Sequence, residues 1–388
     1  MDHIDVIVIG AGPTGLYTAH KVAEAGYRVV VLEEHKEIGV PVHCAGLVGY
    51  RSLKEFDLYW EDVVLNKVRG AKIFSPSCRT VLEIVRSDTQ ACVLDRENFD
   101  KKIYERALSE GAEVLLGHKA IDVSVHHNYV EIICSDRKHS ARILVDAEGA
   151  RRSIAKKLGV STPSRGILPA VQMEFKGVHD IDDKIVEVYL GRKWSNGFFG
   201  WLIPISEDLA RIGLASARNV VYRFNLMTRL HPALKGRLNR ARIIRRSVGF
   251  VITHGPLKKT CGKRFVLVGD AAGHVKPTTG GGIIYGVKGA SIASRVILRS
   301  LSRDTAICVY DELWRREFGR DLRFMLIIRK ILNKLNDNAL ENLMFNFKEY
   351  GLEDILVRYG DIDEQYRLVR GLVKNPLIIL AILRTLIS

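Results

Sequence analysis

The sequence predicts an α/β protein: a Rossmann-like dinucleotide-binding domain, interrupted by a β-rich domain and followed by a helical C-terminal region. Three observations lead there. The chain opens on a buried strand, a Gly10-x-Gly12-x-x-Gly15 turn and a helix. A second buried strand, Phe265-Val-Leu-Val, runs into Gly269-Asp270-Ala-Ala-Gly273. Between these lie runs with the apolar-polar alternation of half-buried strands. At 388 residues the chain is too long for one simple core, and 47% hydrophobic against 27% charged residues excludes disorder.

Asp5 to Ile9 reads as a parallel strand and Leu16 to Ala25 as the helix after it, ended by Gly26. Glycines in the turn let backbone approach a pyrophosphate, whose charge meets free N–H groups at the helix start. Val29 to Leu32 is the next strand. Glu33 follows it, 23 residues after Gly10, where a carboxylate accepts from ribose hydroxyls and disfavours a 2'-phosphate. Alone, such a turn names no particular dinucleotide. Asp146-Ala-Glu-Gly149 and the Asp270 segment narrow the choice, because Asp270 falls at a strand's carboxyl end, in reach of a flavin's ribityl hydroxyls. Pro277-Thr-Thr-Gly280-Gly281-Gly282 then opens an apolar helix from Ile283 to Leu298. A helix start aimed at the N1/C2=O edge of an isoalloxazine stabilises the anionic reduced ring. Together the three segments ask for FAD. The plainer alternative, a tight turn with Asp270 as a helix cap, leaves three consecutive glycines unexplained.

The strand of Asp270 must reach the sheet of the Gly10 strand, so residues 1–68, 92–165 and 255–300 are expected to form the FAD-binding domain. Residues 69–91 and 166–254 are expected to form the β-rich substrate domain, from strands at Ala71–Phe74, Thr80–Val85, Ala170–Phe175 and Lys184–Leu190. Residues 301–388 read as helical, with an amphipathic stretch at Phe324–Leu332 and an apolar tail, Asn375–Ser388. That tail is too short to cross a bilayer; it suits lying on a membrane, capping a lipid channel, or an ordinary buried helix. The nucleotide motif begins at once, and no run reaches the roughly 18 apolar residues a span needs, so a cytoplasmic protein is expected. Six cysteines without CxxC spacing suggest neither zinc nor an iron-sulfur cluster, and no metal is expected. Net charge is +15, and from Leu209 to Gly269 there are fourteen Lys and Arg and no Asp or Glu. Such a stretch suits a diphosphate or an anionic lipid headgroup, and peripheral contact with an anionic membrane; without a recognisable module, nucleic acid is not expected.

These motifs resemble those of flavoproteins of the para-hydroxybenzoate hydroxylase structural type and, among them, the geranylgeranyl reductase family, over roughly residues 1 to 300. The resemblance implies a Rossmann-like FAD-binding domain of the GR2 type. Gly10, Gly12, Pro13, Thr14 and Gly15, with Glu33 and Glu34, would hold the ADP part. Gly269 and Asp270 would hold the ribityl chain, and Gly280, Gly281, Gly282 and Ile283 the flavin ring. Leu94-Asp-Arg96-Glu-Asn-Phe-Asp100 matches the family segment whose arginine lies near the cofactor, and Asp146 to Gly149 matches its Asp-x-Gly motif. Gly39-Val-Pro-Val-His43-Cys44-Ala45-Gly46-Leu47 resembles the family's cysteine-glycine loop beside the ring.

Phe199-Gly-Trp201-Leu-Ile203-Pro204 falls where the family carries Tyr-x-Trp-x-Phe-Pro lining the lipid site. Phe199 and Ile203 depart from it, which removes a phenolic hydroxyl and keeps an apolar wall. The same stretch is similar to the Trp-x-Trp-x-Ile-Pro signature of flavin halogenases, though no catalytic lysine is placed; by pattern alone it also suits any half-buried strand. The implied activity is FAD-dependent reduction of C=C bonds in geranylgeranyl chains, on a digeranylgeranylglycerophospholipid or geranylgeranyl diphosphate, by hydride from reduced flavin N5. Cys44 and His43, or a water held near them, are the candidate catalytic proton donors, Cys44 with Cys308 a candidate redox pair, and ferredoxin or NAD(P)H the candidate electron donor. An FAD-dependent monooxygenase or halogenase, and a non-catalytic lipid-binding flavoprotein, remain the alternatives.

Overall fold

The structure is a computed structural model that describes residues 4–303 and 305–363. Its first elements are β1 (Ile4–Ile9), α1 (Pro13–Ala23), β2 (Val29–Glu33), β3 (Leu47–Gly49), α2 (Tyr50–Glu55), β4 (Val64–Val68), β5 (Gly70–Phe74), β6 (Val81–Val85) and β7 (Ala91–Leu94). Then come α3 (Arg96–Ser109), β8 (Glu113–Leu116), β9 (Ala120–Val125), β10 (Val130–Cys134), β11 (Lys138–Asp146), α4 (Ser153–Lys157), β12 (Ile167–Lys176), β13 (Ile185–Tyr189), β14 (Gly200–Pro204) and β15 (Leu209–Ala215). The rest are α5 (Val220–Leu230), β16 (Arg242–Ile252), β17 (Cys261–Gly262), β18 (Phe265–Leu267), α6 (Gly269–Ala272), α7 (Ile283–Arg303), α8 (Val309–Trp314), α9 (Arg320–Lys334), α10 (Asp337–Glu349) and α11 (Glu353–Tyr359). None of the described helices is long and apolar enough to cross a membrane.

The chain divides into two compact units. The first takes the chain up to Val42, Arg96–Gly166 and Ile252–Leu326. Its sheet runs β17-β18-β11-β1-β2-β8, with β9 and β10 attached through β11. β1 pairs in parallel with both β2 and β11, and β11 in parallel with β18. Val6, Ile7 and Val8 are fully buried, as a central parallel strand covered on both faces requires. Each such side chain contributes roughly 1.5–3 kcal/mol of burial. The parallel register carries Ile9, Asp146 and Leu267 to the same end of the sheet, so the turns after them lie side by side.

The second unit takes His43–Asp95, Ile167–Val251 and the described chain from Ile327. It holds a seven-stranded sheet, β16-β12-β15-β14-β13-β5-β6, and a three-stranded sheet, β3-β7-β4. Phe224 and Met227 of α5 pack into its core with Tyr189, Trp194, Leu202 and Ile212.

The two units differ from the expected boundaries in two places. Residues 43–68 and 92–95 cluster with the second unit, because β3 and β4 pair with β7 and the cluster of Val68, Ala91 and Val93 packs on Trp201 and Ile203. Residues 301–326 join the first unit rather than a separate helical region. There Tyr310 donates to the Leu267 carbonyl at 3.0 Å and the buried Trp314 indole to Thr260 Oγ1 at 2.8 Å. The tail Asn375–Ser388 lies outside the described residues.

Candidate functional site

In the first unit, β1 ends in the Gly10 turn and α1 begins with Pro13, whose missing N–H is no loss at a helix start. The three glycines serve different needs. Gly10 has φ +96° and lies so near Ala147 that a Cβ would come 2.5 Å from its carbonyl oxygen. Gly15 packs on the Gly10 carbonyl with no room for a side chain. Gly12 needs neither, with ordinary φ and no protein atom within 4 Å of a Cβ. The open space at the helix N-terminus is therefore beside Gly12. Thr14 turns its side chain elsewhere, against Gly269 and Gly286, which locks α1 to α6 and α7.

Around this turn the structure gathers the acids expected from sequence. Glu33, buried at the end of β2, accepts from Ala11 N–H at 2.7 Å and from His35 N–H at 2.9 Å. Glu34 faces outward to Arg151 and Lys119, each at 2.9 Å. Asp146 is fully buried at the end of β11; its Oδ1 accepts from Glu148 N–H at 3.1 Å, and its Oδ2 has no hydrogen-bond partner. Burial, with Glu148 close by, holds this carboxyl well above the usual carboxylate range. A buried acid oxygen left over beside a glycine-rich turn fits a hydroxyl-bearing ligand, because hydroxyl donors would satisfy it. Gly149 next to it, at φ +81°, also opens onto free space.

Asp270 stands in α6, half-buried, with Gly282 so close that a Cβ there would come 2.7 Å from Asp270 Oδ1. Burial pushes its carboxyl up, and the charges of Arg152 and Arg96 oppose that. Arg96 thus reaches the Asp270 neighbourhood while forming a buried pair with Asp100 at 2.8 Å. Gly280, Gly281, Gly282 and Ile283 lie half-buried at the start of α7, a 21-residue helix whose N-terminal N–H groups end here. Lys276 folds back over Gly281 and accepts from Gly280 N–H at 2.8 Å through its carbonyl.

Sequence reasoning missed the residues that hold these turns. Arg152, fully buried at φ +55°, donates to the Asp270 carbonyl at 2.7 Å and to His254 Nε2 at 2.5 Å. His254 must accept, so its ring is neutral, and burial with the Arg152 charge pushes it down to about 4. Glu148 caps α4, accepting from Ser153, Ile154 and Ala155 N–H groups. The only signal was the Arg-Arg pair after Gly149.

The remaining expected residues belong to the second unit. The half-buried Cys44 accepts from Gly46 N–H at 3.4 Å, and the exposed His43 donates from Nδ1 to the Val248 carbonyl at 2.6 Å. Arg211 holds the loop: it is buried, pairs with Glu174 at 2.9 Å, and donates to the carbonyls of Ala45 and Leu94 at 2.9 Å each. Ala45 and Leu47 pack in one cluster with Phe199, Trp201 and Ile203, so the loop and the aromatic strand do meet. Trp201, Ile203 and Pro204 are core residues, however, with the Trp201 indole donating to Gln172 at 3.0 Å and lying against Gly213. Phe199 alone of the four is half-buried, stacked on Phe198 at 4.1 Å.

One expectation needs correction. The acid-free stretch is not one basic face. Arg211 is buried, Arg237 is bound to Glu187 at 2.8 Å, and residues 252–269 fall in the other unit. Cys261 Sγ donates to the Cys308 carbonyl at 3.5 Å, and Cys308 Sγ to the Gly262 carbonyl at 3.2 Å. All six cysteines are free thiols.

The family described as lycopene cyclase protein matches residues 5–359. An uncharacterised protein of Methanocaldococcus jannaschii is 35% identical over 375 residues, covering 96% of this chain and 95% of its own. The digeranylgeranylglycerophospholipid reductase of Methanothrix thermoacetophila is 30% identical over 359 residues, 89% of this chain and 91% of its own. Among solved structures, a geranylgeranyl bacteriochlorophyll reductase-like protein of Thermoplasma acidophilum shares the fold with a TM-score of 0.85 at 23% identity, over 99% of this chain and 100% of that one. The family model spans residues 5–359 and the reductase match nine-tenths of the chain, so the chain belongs to the family described as lycopene cyclase protein and to that of the digeranylgeranylglycerophospholipid reductases.

Proposed function

We propose that the protein is an FAD-dependent reductase that saturates the C=C bonds of geranylgeranyl chains on an archaeal-type glycerophospholipid precursor, acting in the cytoplasm at the membrane surface. What supports this most is a match to a named reductase across nine-tenths of both chains. The turn Gly10–Gly15 and the start of α1 would hold the pyrophosphate, Glu33 the adenosine ribose, Asp270 the ribityl hydroxyls, and the start of α7 the ring edge. The unpartnered Asp146 Oδ2 and the open flank of Gly12 fit such a ligand. Glu34, engaged by Arg151 and Lys119, would line the adenosine end.

Bound and reduced, FAD supplies a hydride to one carbon of the alkene. The chain's task is to position an unpolarised bond and bring a proton to its other carbon. Phe199 offers a half-buried aromatic face for the isoprenoid, and Trp201, Ile203 and Pro204 support it from the core. His43 Nδ1 is fixed as a donor to Val248, which leaves Nε2 to carry a mobile proton, and Cys44 Sγ beside it is the second candidate. The electron source is ferredoxin or NAD(P)H.

Chemically reduced, FAD-loaded enzyme incubated anaerobically with geranylgeranylated glycerophospholipid is expected to add pairs of hydrogens, read by mass spectrometry. No mass gain would sink the reading. His43→Ala and Cys44→Ala are expected to slow single-turnover reduction about 100-fold for the residue that donates the proton; wild-type rates in both would remove the two candidates.

A further inference from the structure

The second unit carries an edge that ordinary folding does not explain. β16 ends the order of its sheet among the described residues, and over eleven residues it exposes large apolar side chains between cations. Ile243, Ile244 and Phe250 are 40%, 50% and 58% exposed, interleaved with exposed Arg242, Arg245 and Arg246. Edge strands of this kind invite partners, and proteins normally guard them with charge. Here the guard is of one sign only. α5, packed on β12 and β15, buries Phe224 and Met227 and turns Val221, Tyr222 and Leu230 outward, at 58%, 65% and 56%, with Arg229 among them. No acid occurs between Leu209 and Val251, the part of the acid-free stretch that lies in this unit.

We propose that the edge strand Arg242–Ile252 and the outer face of α5 form the surface by which this unit docks on an anionic lipid bilayer. The chemistry matches that partner on both counts. Exposed aliphatic and aromatic side chains gain by entering the headgroup and acyl boundary, while arginines are attracted by anionic headgroups at about 1 kcal/mol per charge. A second copy is disfavoured, because it would press a surface guarded by cations alone against another of the same sign. A polynucleotide would use the arginines and stack on Tyr222 or Phe250, but would leave Ile243 and Ile244 uncovered by anything apolar. For its purpose the proposal rests on the lipid-reductase reading, since a membrane-lipid substrate must be met at a membrane; its measurement does not.

The test is co-sedimentation of the full-length, FAD-loaded protein with vesicles of phosphatidylcholine alone or with about 30% phosphatidylglycerol. The protein is expected to bind the anionic vesicles at least about tenfold more tightly, less so as salt rises from roughly 0.1 to 0.5 M. Arg242→Glu with Arg246→Glu should cost about tenfold or more in that binding. Ile243→Asn with Ile244→Asn, at exposed positions that spare the core, should reduce the binding that survives high salt. Both double variants should keep wild-type reduction of detergent-dispersed lipid and lose that of vesicle-embedded lipid. Equal binding to neutral vesicles, variants that bind like wild type, or a dimer in light scattering that the isoleucine variant splits would each overturn the proposal. Failure of the wild type to reduce lipid in either form would instead count against the enzymatic reading, with the binding comparison still deciding this one.

Discussion

Asp270 and Arg152 show how much one buried residue organises. Asp270 has its carboxyl against Gly282, while its carbonyl is held by the Arg152 guanidinium, itself locked on His254. The backbone of the residue is thus held, and its carboxyl placed beside the start of α7, before a ligand arrives. Asp270→Asn keeps the shape and the carbonyl bond and removes a charge-assisted acceptor, worth roughly 1.5–3 kcal/mol when it meets a hydroxyl. FAD affinity of the apoprotein, titrated by quenching of flavin fluorescence, is expected to fall about 10- to 100-fold with little change in the unfolding midpoint. A variant that binds FAD as tightly as wild type would remove Asp270 from the cofactor site. Arg152 was not legible in advance, because an arginine at positive φ with no solvent exposure has no sequence signature.

At the scale of elements, the glycine turns were legible because a phosphate-binding backbone constrains residue type directly, and strand, turn and helix follow in the expected order, with the helix starting three residues earlier, at Pro13, and ending at Ala23. The roles of the individual glycines were not. Gly15 closes on the Gly10 carbonyl, whereas Gly12 faces open space, so the same substitution should act on different quantities. Gly15→Ala is expected to destabilise the first unit by about 1–3 kcal/mol through overpacking, seen in denaturant unfolding of the apoprotein. Gly12→Ala should fold as wild type and lose FAD affinity, because its methyl occupies the approach of the pyrophosphate. Equal effects on stability would show that Gly12 is only a turn residue. The short strands β3 and β4 were missed for a related reason: three and five residues are too few to reveal alternation, and what assigns them is pairing with β7. Burial is equally invisible in composition, which is why Arg211 counted as surface charge until its bonds to Glu174, Ala45 and Leu94 were seen.

Over the whole molecule, buried histidines make acid stability a property of both units. His274 sits fully buried against Trp314, Tyr310 and Phe318 with neither ring nitrogen bonded, and burial, helped by the Arg315 charge, pushes it down to about 3. In the second unit His231, packed on Tyr189 and Trp194, is pushed down to about 4, mostly by burial. In the unfolded chain each titrates near 6.5, so below that pH the unfolded state takes up protons that the fold refuses. Stability from these residues is complete above pH 6.5 and is lost as pH falls toward 4. At pH 5 the loss is on the order of 2 kcal/mol for each. Burial raises the carboxyls of Asp100, Asp146 and Asp270, which add stability as pH falls and work in the opposite sense, all in the first unit. A comparison of slopes isolates the histidines. His274→Phe carries whatever packing cost the larger ring imposes at every pH, yet its denaturant midpoint should fall less between pH 7 and pH 5 than that of wild type, by the equivalent of about 2 kcal/mol in the transition of the first unit. An unchanged slope would mean that His274 finds a proton-accepting partner in the fold and is not the neutral, unbonded ring its aromatic cage implies.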